Sequence, residues 1–276
     1  MAAHRKYHWF LYAGMGIAAV VALIFLSGPK NNDKTASNET DSSFTPQTSE
    51  KPGFDELLPA SAPTEQIIQN QHYALSYNKK YKQANWVSYK LTSQMLKNKT
   101  GRTDDFRADP EAGADAATPQ DYKKSGYHRG HLCPAGDMKF SEDAMSETFL
   151  MTNISPQDAD FDAGIWRELE EQIRDWAREH KELHITTGPV FGKHIKTIGR
   201  NNVAVPEYFF KVILDYKQPG LKGIGFIFRN EDHDDYLQFH AVSIDSVESF
   251  TGIDFFSALP DSVEKVIEKS AKWQAW

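Results

Sequence analysis

The chain has 276 residues, 40% of them hydrophobic and 25% charged, with 17 glycines and 13 prolines. These are ordinary globular proportions, which exclude a collagen, a coiled coil, a wholly disordered chain and a polytopic membrane protein. Acidic residues outnumber Lys and Arg by 38 to 31 for a net charge of −7, which argues against a passive nucleic-acid coat but leaves room for a local basic groove.

Taken in chain order, residues 1–8 carry Arg5 and Lys6, and from Trp9 to Leu26 the chain then runs without a charge. Positive charge ahead of a short apolar span predicts a membrane anchor over 9–27 with its N-terminus in the cytoplasm. A cleaved signal peptide is the alternative, disfavoured by the bulky end Ile24-Phe25-Leu26 and by the lack of a small-residue cleavage pattern. Residues 28–66 are dominated by Asn, Asp, Ser, Thr, Pro, Lys and Glu and read as a disordered tether, with apolar spots only at Phe54, Leu57 and Leu58. The folded domain is expected over 67–276, outside the cytoplasm: on the periplasmic side of a bacterial inner membrane, or secreted if the first segment is removed. A mitochondrial inner-membrane placement is the alternative.

Strand signals, rich in aromatic and β-branched residues, recur at 73–77, 86–91, 183–187, 208–214, 224–228 and 239–244. Helical periodicity runs from Asp162 to Glu179, with Ile165, Trp166, Leu169, Ile173, Trp176 and Ala177 on one face and Asp160 as a candidate cap. A last helix is predicted over Asp261 to Lys272, with Val263, Val266 and Ile267 inward. Strands and helices mix without βαβ alternation, which predicts an α+β fold with a mostly antiparallel central sheet and flanking helices.

Charge is uneven within this domain. Lys79, Lys80, Lys82, Lys90, Lys97, Lys99, Arg102 and Arg107 face only Asp104 and Asp105 between residues 79 and 107. This run reads either as a solvated surface or as a phosphate-binding face. It lies just upstream of Tyr127-His128-Arg129-Gly130-His131. Two imidazoles and a guanidinium in a Gly-rich turn can take a proton near neutral pH and grip phosphate oxygens. The polar loop Asn153-Ile154-Ser155-Pro156-Gln157 follows, then the helix opening Asp162-Ala163-Gly164-Ile165-Trp166-Arg167-Glu168-Leu169-Glu170. Taken singly these have dull readings: a turn asparagine, a carboxylate at a helix start, an i,i+4 ion pair between Glu170 and Arg174.

Together the segments HRGH at 128–131, NISPQ at 153–157 and DAGIWRELE at 162–170 resemble the DNA/RNA non-specific endonuclease family of ββα-metal nucleases. The resemblance extends from about Tyr73 to Pro260. It implies a metal-dependent, sequence-nonspecific endonuclease that hydrolyses phosphodiester bonds of DNA and RNA and leaves 5′-phosphates. It implies His131 as general base, Asp162 as the protein ligand of Mg²⁺ (with Mn²⁺ as a substitute), and Glu170 as a carboxylate orienting metal-bound water. Arg129, Arg174 and Arg102 would hold phosphate oxygens, and Asn153 would fix the active-site loop. The resemblance leaves room for a homodimer.

Two positions depart from the family pattern. His128 stands where the signature has aspartate, and Asp162 where it has asparagine. The pair suggests that the site carboxylate has moved from the turn to the helix, with His128 orienting water or touching phosphate. The competing expectation is a tethered nucleic-acid-binding protein with an impaired nuclease site. The lone cysteine, Cys133, is expected to be a packed structural residue.

Overall fold

The aromatic runs of the sequence become neighbours in one sheet. The computed structural model describes residues 53–114, 116–217 and 220–276, which belong to a single compact unit, 48–276. The expected anchor at 9–27 and most of the 28–66 tether lie outside the described residues. Among the described residues no helix is long and apolar enough to cross a membrane.

Eleven strands form in chain order among the described residues: β1 (Gln66–Gln69), β2 (Tyr73–Asn78), β3 (Gln83–Thr92), β4 (His128–His131), β5 (Ile154–Gln157), β6 (Glu182–Val190), β7 (Thr197–Ile198), β8 (Val203–Ala204), β9 (Tyr208–Asp215), β10 (Lys222–Arg229) and β11 (Ala241–Val242). Seven of them make the central sheet in the order β1-β2-β3-β6-β9-β10-β11, and every pairing is antiparallel. The expected mixed fold with an antiparallel sheet is what forms. Strands β4 and β5 pair only with each other, as do β7 and β8.

Alternation along the strands sorts the core into two layers. Tyr73, Leu75, Val87, Tyr89, Phe209 and Ile213 face one way and pack with Trp166, Leu169, Ile173 and Trp176. Ala74, Trp86, Phe210, Val212 and Leu214 face the other way. There they meet helix α4 (Ile244–Thr251) and helix α5 (Asp261–Ile267). With both faces covered, the central strands read as continuous apolar runs. On the first face lie helix α1 (Glu142–Glu147), the short α2 (Ala159–Phe161) and α3 (Arg167–His180). Leu169, Ile173, Trp176 and Ala177 of α3 are buried. Each large apolar side chain so buried contributes about 1.5–3 kcal/mol, more than helix propensity alone supplies.

Four expectations are corrected. Order begins before residue 67: Asp55–Leu57 form a 3-10 turn and Leu57 is buried in the second layer, so the spots in the polar tether dock. The cap ahead of the long helix is Asp158, whose carboxylate accepts from the Asp160 and Phe161 amides, and not Asp160. Residues 239–244 give only the two-residue β11, then turn into α4 with Ser243 as cap and left-handed Gly252 at its end. The last helix stops at Ile267, and Val266 points outward.

Candidate active site

The HRGH and NISPQ segments are the two strands of one ribbon. Antiparallel register pairs His128 with Gln157, Arg129 with Pro156, Gly130 with Ser155 and His131 with Ile154. A side chain at 130 would meet Gln157 Oε1 at 1.7 Å, so the glycine is required by close approach. Asn153 sits fully buried at the ribbon's end. Its Oδ1 accepts from the Cys133 amide at 2.8 Å, and its Nδ2 donates to the Cys133 and Thr148 carbonyls at 2.9 Å. These bonds tie the Cys133 and Thr148 backbone together from beneath the site. Cys133 is buried and free, its thiol pushed up by burial.

The chain then turns through α2 and a kink at Gly164 into α3, completing a β-β-α unit. The kink segment holds Asp162 beside the start of β4: its Oδ2 lies 3.0 Å from His128 Nδ1. The two residues expected to depart from the family pattern are thus direct partners.

Around them the predicted side chains converge. One cavity of about 300 Å³ is lined by Arg102, Arg129, His131, Asp162, Arg167 and Glu170, among others. A second, of about 510 Å³, shares Arg102, Arg129 and Asp162 and adds His128, Phe106 and Lys123. A third, also about 510 Å³, continues past Arg102 to Lys99, Lys139, Arg174 and Arg178. The basic run of 79–107 therefore divides. Lys99 and Arg102 border the groove, whereas Lys79, Lys80 and Lys82 lie at the β2–β3 turn.

His131 is 8% exposed, with Phe149 edge-on at 5.0 Å and Phe106 at 5.6 Å. Burial, reinforced by the Arg102 and Arg129 charges, lowers its pKa to about 3, so the ring is neutral across the physiological range. Phe106 also carries the Arg129 guanidinium on its face at 4.0 Å. Glu170 is raised to about 7 by burial, with Lys211 and Arg174 pulling down and Asp137 and Asp162 pushing up.

Arg174 enters differently from expectation. Its Nη1 donates to Asp137 Oδ1 at 2.8 Å, and the Tyr89 hydroxyl donates to the other oxygen at 3.0 Å. Asp137 is 1% exposed, so Arg174 is first the counter-ion of a buried carboxylate. No Glu170–Arg174 bridge forms among the described residues; the pair interacts only through its charges.

Three contributors carry no role in the sequence reading: Phe106, Asp137 and Lys211. Lys211 is wholly buried in β9, its Nζ 4.4 Å from the Trp166 ring and without a hydrogen-bond partner among the described residues. Burial lowers its pKa and Glu170 raises it. A lysine amid Phe209-Phe210 and Val212-Ile213 was the visible signal, because an isolated cation is not tolerated on a central strand.

The donors fit a hard divalent cation. Asp162 and Glu170 face one open cavity, and the Asp162 charge raises the cost of ionising Glu170. Mg²⁺ needs few protein ligands of this kind because it keeps most of its water.

Comparison with known proteins agrees with this geometry. The sequence profile of the family described as DNA/RNA non-specific endonuclease matches residues 57–262. A nuclease of Nostoc sp. is 35% identical over 278 residues, covering 92% of this chain and 96% of that one. The mitochondrial endonuclease G of Caenorhabditis elegans is 37% identical over 224 residues, 73% of this chain and 71% of that one. The solved EndoG/EndoGI complex, which addresses EndoG inhibition, superposes with a TM-score of 0.68 at 26% identity, covering 77% of this chain and 95% of that one.

Proposed function

Since this chain belongs to the DNA/RNA non-specific endonuclease family of hydrolases, we propose that the groove around His131 cuts DNA and RNA backbones without regard to sequence, leaving 5′-phosphates. The single observation that carries the reading is a neutral, mostly buried imidazole lining one cavity with Arg129, Arg102, Asp162 and Glu170.

Members of this family are metal-dependent. Asp162 would hold Mg²⁺, which would supply positive charge against the phosphate and the departing 3′-oxygen. His131 accepts a proton from the attacking water, and its low pKa means that no bound proton must first be lost. Phe106 and Phe149 hold the ring in one orientation. Arg129 and Arg102 present guanidinium donors to nonbridging oxygens. Phe106 fixes the first by stacking, and Phe149 lies 4.9 Å from the second. Glu170, kept close to neutrality by burial, orients water near Asp162. All these groups address backbone chemistry, which gives broad specificity. We place the domain outside the cytoplasm on its N-terminal anchor, supported by the uncharged run at 9–26 behind Arg5 and Lys6.

The test incubates the purified chain with plasmid DNA and with RNA in Mg²⁺, Mn²⁺, Zn²⁺ or chelator, beside His131→Ala. Cleavage that needs metal and vanishes in His131→Ala is expected. DNA binding without cleavage under every metal would instead make the protein a tethered binding module.

A further inference from the structure

The loop between β10 and β11 brings together three side chains that the nuclease chemistry does not use. His233, Asp235 and His240 each offer a ligating atom, and these atoms lie within 4.8 Å of one another. His240 Nε2 is 2.8 Å from Asp235 Oδ1, and His233 Nδ1 is 3.8 Å from the same oxygen. Both imidazoles are largely covered, at 13% and 14% exposure, whereas Asp235 opens to solvent. Their rings are held by packing: His240 stacks on Phe228 at 4.4 Å, and His233 stands edge-on to His240 at 4.8 Å.

The proton positions follow from the partners. His233 Nε2 lies 3.1 Å from the Arg229 carbonyl oxygen. A carbonyl only accepts, so Nε2 carries the hydrogen. In the neutral ring Nδ1 is then a lone pair aimed at a carboxylate oxygen that already faces the second imidazole. Three side chains of one loop converge, and the far side of the His233 ring is fixed by a backbone acceptor, which is how metal-ligating histidines are oriented.

We propose that His233, Asp235 and His240 form a second metal site, for Zn²⁺, separate from the catalytic groove. Two imidazoles and a carboxylate are a donor set that suits zinc and leaves a fourth position open beside the exposed Asp235. The site braces the catalytic corner. Asn230, at the start of this loop, accepts from the Asp158 amide at 2.8 Å and donates to the Pro156 carbonyl at 3.1 Å. The His233 ring is 6.1 Å from that of Phe161, the neighbour of Asp162 in sequence. A zinc ion here clamps the loop against the segment that presents Asp162, so these three are positioning residues and not catalytic ones.

The test uses the full-length chain carrying Asp162→Ala, which removes the groove's proposed metal ligand. After stripping with chelator it is dialysed against Zn²⁺ alone, and bound metal is counted by atomic spectroscopy. About one zinc per chain is expected, with a zinc-dependent rise in the thermal midpoint. Adding His240→Gln abolishes both. Adding Asp235→Asn, an exposed change that leaves the packing intact, weakens zinc affinity by at least about 10-fold. In the Co²⁺-loaded protein the visible absorption of a four-coordinate site appears, and it disappears in the same two variants. Absence of retained zinc in Asp162→Ala, or its retention in His240→Gln and Asp235→Asn, would overturn the proposal and leave an ordinary histidine–aspartate ion pair. The readouts are zinc content, thermal midpoint and Co²⁺ absorption rather than cleavage, so failure of this proposal is distinguishable from failure of the nuclease reading.

Discussion

His128 Nδ1 and Asp162 Oδ2 stand 3.0 Å apart across the mouth of the site, one on the ribbon and one on the kinked helix. The contact supports our proposal that the two positions expected to depart from the family pattern are a single exchange, with an acid on the helix facing an imidazole on the strand. Reverting only one side disturbs the pair. H128D sets two carboxylates against each other, and D162N removes the acid altogether. We predict that each single reversal lowers kcat/KM for plasmid cleavage more than the double H128D/D162N does, with a coupling of about 0.5–3 kcal/mol. Additive effects would show that the contact is incidental.

Acid sensitivity follows from His131. Its folded pKa of about 3 lies below the ordinary imidazole value, so between about pH 6.5 and 3 the unfolded chain binds a proton that the folded one refuses. This contribution makes stability fall as pH falls through that window. Urea melts of wild type and His131→Asn at pH 7 and pH 4.5 should show a smaller loss in the variant. An equal loss in both would assign the sensitivity elsewhere.

Lys211 tunes the carboxylate on which the groove depends. The cation pulls Glu170 down towards its value of about 7. Lys211→Met removes that pull, and the acid-side midpoint of the cleavage pH profile should rise by about 1–3 units. The thermal midpoint should fall, because removing the cation leaves the buried Glu170 and Asp137 carboxylates less compensated. A profile that stays in place would remove Glu170 titration from catalysis.

The two arginines of the site should separate by readout. Arg174→Ala strands the buried Asp137 and costs about 3–5 kcal/mol of stability. Arg129 stacks on Phe106 and serves the groove, so Arg129→Ala should depress kcat/KM with a stability change under about 1 kcal/mol. Chemical denaturation and cleavage assays on the same preparations check both.

Crowding at the ribbon predicts a rescue. Gly130→Ala drives a methyl into the Gln157 side chain and should destabilise by about 1–3 kcal/mol. Gln157→Ala opens the space, so the double variant should regain much of that loss in urea melts.

Much of this architecture was legible in the chain. The strands at 73–77, 86–91, 183–187, 208–214 and 224–228 announce themselves because branched and aromatic residues fill both faces of a covered sheet. The groove was legible because imidazole, guanidinium and carboxylate fall in short segments that pair locally. What stayed hidden needed partners distant in sequence. Arg174 looked like an i,i+4 mate of Glu170 until Asp137, 37 residues away, claimed it. Residues 239–244 alternate like a strand, yet His240 stacks on Phe228 and Ser243 caps a helix, so tertiary packing decided against local pattern. Leu57 looked like a stray apolar spot in a polar tether because the layer that buries it comes mostly from residues beyond 200.

The β4–β5 ribbon has a parity. Side chains on a strand alternate, so Arg129 and His131 share one side, against Phe106, while Gly130 turns to the other, against Gln157. A pairing error of one residue would aim Pro156, which has no N–H, at the partner strand and reverse the side to which His131 turns. The Asn153 amide, bonded on both sides of Cys133, and the one glycine that tolerates Gln157 therefore act as a proofreading device for folding, and a chain that passes it has already chosen which way its chemistry faces.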